Sequence, residues 1–313
     1  MHAKLVAIDV NKEGQRIDNF LISYFKDVPK SRIYRAIRSG EVRINKKRAR
    51  QTYRLQLGDI VRIPPIQNYS AESRSAQPVP SELIISLENS IIHEDEYLLV
   101  LNKPSGIAAH SGTGERWGVI EIMRASREHQ PFLELVHRID KETSGCLVLA
   151  KTRRALLDAQ QALHAETAIK EYTLLVKGQW QVKNKQVEHA IEKHPDSSMG
   201  AKMAVADKGK PAVSIFSTIE LFTHNSLIKA AIKTGRTHQI RVHAQQEGHP
   251  LVGDRRYGDF EHNREIAKHG FKRMFLHATH LQLKLSDLSQ NYEFTAPMSS
   301  ELKTLCRQLR KQR

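Results

Sequence analysis

Residues 135–152 read LVHRIDKETSGCLVLAKT. A basic pair and one acid, His137-Arg138-Ile139-Asp140, lead through Lys141, Glu142 and the small-residue turn Thr143-Ser144-Gly145 into the apolar run Cys146–Ala150. A short apolar run bounded by turn residues predicts a buried strand, and the Ser-Gly step predicts a tight turn at its mouth. Loops held still by such strands are a common place for reactive groups. Asp140 then has four readings: a nucleophile, a general base, a metal ligand, or the partner of Arg138 or Lys141 in a surface ion pair. These residues alone leave all four open.

The composition narrows the class of protein. With 313 residues, 27% charged and 40% hydrophobic, the chain has the makings of a globular protein of two domains. No apolar stretch approaches the roughly 18 residues of a membrane span, and MHAKLVAIDVNKEG at the start lacks the pattern of a secretory signal. Two cysteines, Cys146 and Cys306, make neither a disulfide framework nor a four-ligand zinc site and suit a reducing compartment. A cytoplasmic protein is expected. The net charge of +15 favours a polyanionic partner, and residues 1–65, with fifteen Lys or Arg against six Asp or Glu, hold +9 of it.

The stretch IPPIQNYSAESRSAQPVPSE, residues 63–82, carries four prolines and no sustained periodicity, as a linker does. The expected organisation is a small domain over residues 1–65, a linker over 66–85 and a large domain over 86–313. In the small domain, Ile17, Phe20, Leu21 and Phe25 have helical spacing, and Pro29 opens a second helix that Gly40 closes. Arg32, Arg35 and Arg38 fall on one face of that helix. Arg43 follows in the short strand EVRIN, then come the basic turn Lys46-Lys47-Arg48-Ala49-Arg50 and the strand DIVRIP. Stripe and turn together read as a surface that tracks phosphates, although an arginine stripe alone is compatible with a solvated helix face. In EGQRIDNFL, PKSRIYRAIRSGEVRINKKR and LGDIVRIPP, nearly all of residues 14–65 resembles the S4 RNA-binding domain.

Past residue 85, apolar strands such as 98–101, 146–150 and 172–176 are interspersed with helical stretches such as 153–165. Several strand pairs are joined by short turns, so the fold class is α+β with a mixed, mostly antiparallel sheet. Neither GxGxxG nor GxxxxGK[ST] occurs, which argues against a dinucleotide cofactor or nucleotide hydrolysis. Three further segments stand out. LNKPSGIAAHSG, residues 101–112, reads as a forced turn that shapes a pocket wall. In IKEYTLLVKG, residues 169–178, Tyr172 is either half-buried core or a ring on which a base stacks. KTGRTHQIRVHAQQEGHPLVGDRRYG, residues 233–258, predicts a helix from His238 to Glu247 capped by Thr237. Helical spacing sets Arg241 beside Gln245 and one turn from Thr237. His238 and His243 are five apart, not the four of a metal-binding helix, and no GxSxG elbow marks a hydrolase.

NKPSG, HRIDKETSG, the triplet KEY at 170–172 and GRTHQIRVHAQQEGHPLVGDRRYG resemble, in that order, the motifs of the RluA-type pseudouridine synthase family. That resemblance implies a catalytic Asp140, an active-site Tyr172, a basic Arg241 paired with the aspartate, and an Arg138 that fills the helix space left by a flipped nucleotide. It implies isomerisation of uridine to pseudouridine without metal or cofactor. Nothing in the sequence reads as a dimer interface, so a monomer is expected, with no membrane association. With the S4 domain in front, the resemblance further implies 23S ribosomal RNA as substrate, free or in a large-subunit assembly intermediate; the alternatives are the same chemistry on tRNA, or a non-catalytic RNA-binding assembly factor, which the presence of Asp140, Tyr172 and Arg241 disfavours. Arg32, Arg35, Arg38, Arg43, Lys46, Lys47 and Arg48 would then make the phosphate contacts. Lys141 and Glu142 receive no role. Ile139 stands where the family usually has Leu, and Cys146 where it has an aliphatic residue; both keep apolar character.

Overall fold

The computed structural model describes residues 3–25, 28–66, 78–112, 115–194, 202–206 and 208–311. The chain forms two compact units, Met1–Pro78 with Thr152–Arg154, and Val79–Lys151 with Ala155–Arg313.

The first unit holds β1 (Lys4–Ala7), α1 (Ile17–Tyr24), α2 (Lys30–Ser39), β2 (Arg43–Ile44), β3 (Lys47–Arg48) and β4 (Ile60–Ile63). Its antiparallel sheet has the order β1-β4-β2-β3. Ile17, Phe20 and Leu21 of α1 join Ile33, Ala36 and Ile37 of α2 over Ile44, Val61 and Ile63 in one core, which leaves Arg35 and Arg38 exposed on the outer face of α2. The basic turn differs from expectation. The chain reverses at Asn45-Lys46, whose φ values are 49° and 67°, and Lys47-Arg48 is already a strand paired with β2. Two successive left-handed residues make the tight hairpin whose twist matches its strands. The buried carboxylate of Asp59 holds it, accepting from Asn45 Nδ2 at 2.7 Å and from Tyr53 Oη at 3.0 Å.

The second unit begins inside the stretch read as linker. Helix α3 (Ser81–Glu88) starts there, and Val79, Leu83, Ile84 and Leu87 pack on an apolar cluster with Leu99, Leu101, Leu147 and Leu149. The polar start of the segment masked this amphipathic end. Residues 67–77 of that stretch lie outside the described residues. There follow β5 (Ile91–Glu94), β6 (Leu98–Lys103), α4 (Val119–Ser126), β7 (Glu134–Leu135), β8 (Ser144–Ala150), α5 (Arg153–His164), β9 (Ile169–Lys177), β10 (Lys185–Glu188), β11 (Ile191–His194) and β12 (Lys202–Val205). The chain continues with β13 (Val213–Leu221), β14 (Asn225–Ile232), α6 (Gln239–Gln246), α7 (Phe260–Lys268), β15 (Leu276–Leu285), β16 (Gln290–Thr295) and α8 (Ser300–Arg310). The main sheet has the order β10-β13-β14-β9-β15-β8-β6-β5, with β16 on β15 and β7 on β8, and β11 and β12 form a separate hairpin. The expected mixed, mostly antiparallel sheet is what forms.

Strand β8 is buried along its whole length. Cys146, Val148 and Ala150 enter one cluster and Leu147 and Leu149 another, so the strand is sandwiched between two apolar layers. It runs antiparallel to β6, but at its first two residues it pairs with β15 in parallel, Ser144 opposite His277 and Gly145 opposite Ala278. This is the one parallel pair among the described strands, and it comes directly after the turn that carries Asp140. Gly145 makes it possible. Its φ is 108°, and a Cβ there would lie 2.2 Å from the carbonyl oxygen of Ala278. Gly145→Ala is therefore expected to destabilise the protein by about 2 kcal/mol or more, from backbone strain and overpacking together; denaturant unfolding that matches the wild type would contradict this reading.

Candidate active site

The turn before β8 is fixed from several sides. Its own backbone closes through Thr143 N donating to Asp140 O at 3.1 Å. His137 Nε2 accepts the amide of Val148 at 3.2 Å, and burial lowers its pKa to about 4, so the ring is a neutral acceptor. Beneath the turn lies Lys103, fully buried, whose Nζ donates to the carbonyls of Pro104 and Ile107 at 2.8 Å and of Lys141 at 3.1 Å. Burial lowers this ammonium to about 7 against the opposing charges of Glu142 and Asp140. Ser105 Oγ donates to Glu142 O at 2.7 Å. The NKPSG segment thus clamps the Asp140 turn through backbone carbonyls, while the next residues, Ala108 to His110, line the cavity wall. Lys141 and Glu142 serve through those carbonyls, and the Lys141 side chain pairs with Glu115 at 2.6 Å.

Arg241 arrives from α6. Thr237 does not cap this helix: His238 occupies the cap position in the left-handed region, φ 56° and ψ 19°, and makes no side-chain capping bond. Arg241 is buried on this helix, and its guanidinium reaches two acids. Its Nε and Nη2 donate to Asp254 Oδ2 and Oδ1 at 2.7 and 2.9 Å, and its Nη1 donates to Asp140 Oδ2 at 3.0 Å. Asp254 is itself held by the amides of Arg256 and Tyr257, at 2.9 and 3.0 Å to Oδ1. Burial works to raise the Asp254 pKa, yet the Arg241 fork and these amides outweigh it and hold the carboxyl below its ordinary range. The Tyr257 ring lies 4.8 Å from the guanidinium and covers it.

Two cavities meet at this carboxylate. The larger, about 470 Å³, is edged by the cations Arg138, Arg255, Arg256 and Arg273. The smaller, about 140 Å³, is lined by Tyr172, Ile232, Thr143 and Leu276. Arg138, Asp140, His238 and Arg241 belong to both. Tyr172 comes from β9, opposite Ala230 of β14 and Ala278 of β15, two small residues that leave room for its ring. Burial, and then the charge of Asp140, push its phenol pKa well up, so it stays protonated. Arg138 is exposed at the rim with Nη1 3.4 Å from His110 Nε2. Asp140 is held by one oxygen only; among the described residues its Oδ1 has no hydrogen-bond partner.

The four residues read from the second unit's sequence, Arg138, Asp140, Tyr172 and Arg241, are thus together. Those of the first unit form their own basic surface, with internal ties. Arg32 pairs with Glu41 at 2.7 Å, and Arg43 donates to the carbonyls of Gly40 and Lys46 at 3.3 and 3.4 Å. Lys46, Lys47 and Arg48 are exposed alongside Arg35 and Arg38. Sequence reasoning missed Asp254, His238, Tyr257 and Lys103. The signal for the first three was their presence in the quoted 233–258 segment; a lysine in an apolar strand marked the fourth. The two histidines of α6 have local partners: His243 is buried and lies 3.0 Å from Ser214 Oγ, and His238 is bound to Tyr257. Among the described residues no group of three His, Cys, Asp or Glu is arranged to hold a metal ion.

The chain is similar to known proteins along its whole length. A family model described as RNA pseudouridylate synthase matches residues 97–246, and an S4 domain model matches residues 15–61. A protein named ribosomal large subunit pseudouridine synthase C from Haemophilus influenzae is 44% identical over 309 residues, which is 98% of this chain and 95% of that one. Its namesake from Vibrio vulnificus is 45% identical over 310 residues, 99% of this chain and 98% of that one. Among solved structures, human RNA pseudouridylate synthase domain containing 4 shares the fold at 21% identity, with a TM-score of 0.60 over 73% of this chain and 96% of that chain. Identity at this level along the whole chain makes it a member of the RNA pseudouridylate synthase family, and the protein is an RNA pseudouridine synthase.

Proposed function

We propose that the protein converts specific uridines of 23S ribosomal RNA to pseudouridine, with Asp140 as the reacting group. The observation that carries the chemistry is the half-committed carboxylate: Arg241 holds Oδ2, while Oδ1 of this cavity-lining residue has no hydrogen-bond partner among the described residues. The choice of RNA rests on the full-length similarity to proteins named for the ribosomal large subunit.

Isomerisation breaks the bond from N1 to C1′, turns the uracil, joins C5 to C1′ and releases the C5 proton. A stacked base is out of reach, so the nucleotide has to be flipped, at a cost of a few kcal/mol of unstacking. Arg138, on the exposed rim, fills the vacated space and offsets part of that cost. The smaller cavity takes the base and the larger, cation-edged one takes the adjoining backbone. Tyr172 stacks on the detached uracil and keeps it captive, and its protonated phenol is placed to relay the C5 proton. Asp140 acts through Oδ1, as nucleophile on C1′ or C6 or as base toward C2′. Each route needs an ionised, correctly aimed carboxylate, which Arg241 supplies by charge and by its planar fork. Nothing in the reaction is oxidised or reduced, so these residues require no cofactor.

The first unit serves as the RNA-binding module, its exposed cations meeting phosphates and positioning the RNA without reading bases. The protein acts as a monomer in the cytoplasm; among the described residues no helix is long and apolar enough to cross a membrane.

Asp140→Asn is expected to abolish tritium release from 5-tritiated uridine in 23S RNA while RNA binding persists. Turnover near the wild-type rate would remove Asp140 from the centre of the mechanism, and a pseudouridine map that changed in tRNA but not in 23S RNA would redirect the substrate. Replacing Lys46, Lys47 and Arg48 by Ala should reduce the slope of log affinity against log salt by roughly 2, the share of three phosphate contacts on single-stranded RNA. An unchanged slope would exclude this face from binding.

A further inference from the structure

His238 lines both cavities, and the mechanism above gives it no task. Its backbone sits in the left-handed region, uncommon outside Gly and, among other residues, favoured by Asn, Asp and His, and its side chain, 17% exposed, has Nε2 near Asp140. Nδ1 lies 2.8 Å from Tyr257 Oη, and Nε2 lies 3.7 Å from Asp140 Oδ2, too far for a hydrogen bond.

The tautomer follows from the tyrosine. Tyr257 is buried, and its Oη accepts the backbone amide of Met203 at 3.0 Å, a group that can only donate. Among the described residues the other hydrogen-bond partner of Oη is His238 Nδ1. If Nδ1 carried the proton, the hydroxyl would receive two hydrogens and its own would be buried without an acceptor, which native structures avoid. Oη therefore donates to Nδ1, and the ring hydrogen is on Nε2. The ring is neutral as well: burial lowers it to about 4, Arg241 and Arg256 add to that, and Asp140 and Asp254 oppose it. The result is an N–H on a ring that lines both cavities, with Nε2 beside the oxygen of Asp140 that Arg241 already occupies.

We propose that His238 is a neutral hydrogen-bond donor to a carbonyl oxygen of the flipped uracil, with Tyr257 fixing which nitrogen carries the hydrogen. This rests on the reading that uridine is isomerised at Asp140. When the N1 to C1′ bond weakens, negative charge spreads onto the uracil carbonyls, and a fixed donor there binds the departing base more strongly than the intact nucleotide. Such a contact acts on the rate of the chemical step rather than on affinity for RNA.

The first test needs no substrate. In the full chain labelled with 15N-histidine, with the His238 signals assigned by their loss in His238→Asn, Nδ1 should resonate as an unprotonated nitrogen and Nε2 as a protonated one from pH 5.5 to 8. A hydrogen on Nδ1, or a ring that protonates with a midpoint above pH 6, overturns the proposal. The second test is kinetic. His238→Asn tolerates the left-handed backbone and is expected to lower the single-turnover rate of tritium release by about a hundred-fold or more, with the Kd for RNA within about two-fold of wild type. Tyr257→Phe, which keeps the ring and loses the lock on the tautomer, should lower the rate less. An unchanged rate in both variants, or a loss confined to RNA affinity, overturns it. Absence of turnover by the wild-type protein on 23S RNA would instead sink the substrate assignment, leaving the tautomer measurement to decide on His238.

Discussion

The site depends on one guanidinium shared by two carboxylates. Arg241 spends two of its nitrogens on the buried Asp254 and a third on Asp140, and the geometry of the planar fork then fixes where Asp140 points. A lysine would supply the charge without the direction. Asp254 is paired at both oxygens and enclosed, whereas Asp140 has one oxygen without a partner among the described residues and remains open to the cavities. Burying an arginine against a single exposed acid would leave much of its charge unanswered; the second, interior acid satisfies it and lets the outer one stay available.

The fold sets the distance that this arginine has to bridge. Both acids are borne on loops seated against the start of β15. Gly145, after the Asp140 turn, lies against Ala278, and Gly253, beside Asp254, is in the left-handed region, φ 76°, where a Cβ would lie 1.8 Å from the carbonyl oxygen of Arg273. The two close approaches bring two chain segments more than a hundred residues apart onto one strand end, and α6 delivers Arg241 between them. Lys103 anchors the Asp140 turn from the opposite side through three carbonyls. The proposed chemistry is therefore carried by loops, but the loops are tied down by these contacts.

Much of this was legible in the chain itself, for identifiable reasons. Strand β8 announced itself because an apolar run bounded by turn residues has few other ways to fold, and Asp140 because its turn led into that strand. The pairing of Asp140 with Arg241 came through the resemblance of the motifs, not through local spacing. What stayed hidden was set by tertiary geometry. Asp254 reads in sequence as one acid before two arginines, Arg255 and Arg256, yet its carboxylate takes the guanidinium of Arg241, and Arg256 and Tyr257 tie to it through their backbone amides. Thr237 had the chemistry of a helix cap, but the chain enters α6 through a left-handed His238, a backbone state no periodicity reveals. The end of the linker was misjudged because four prolines outweighed the short amphipathic pattern of α3, and the basic turn because Asn45-Lys46 makes a tighter reversal than the run of cations suggested.

The dependence of Asp140 on the arginine clamp is open to a double-mutant cycle. Single-turnover rates of tritium release would be compared for the wild type, Asp254→Asn, Arg241→Lys and the double variant, each checked for native stability. If Asp254 acts only by aiming Arg241, the double variant will be no slower than Arg241→Lys alone, because the fork has already been lost. Losses that simply multiply would mean that the two residues act independently, and that the clamp is not what directs the carboxylate.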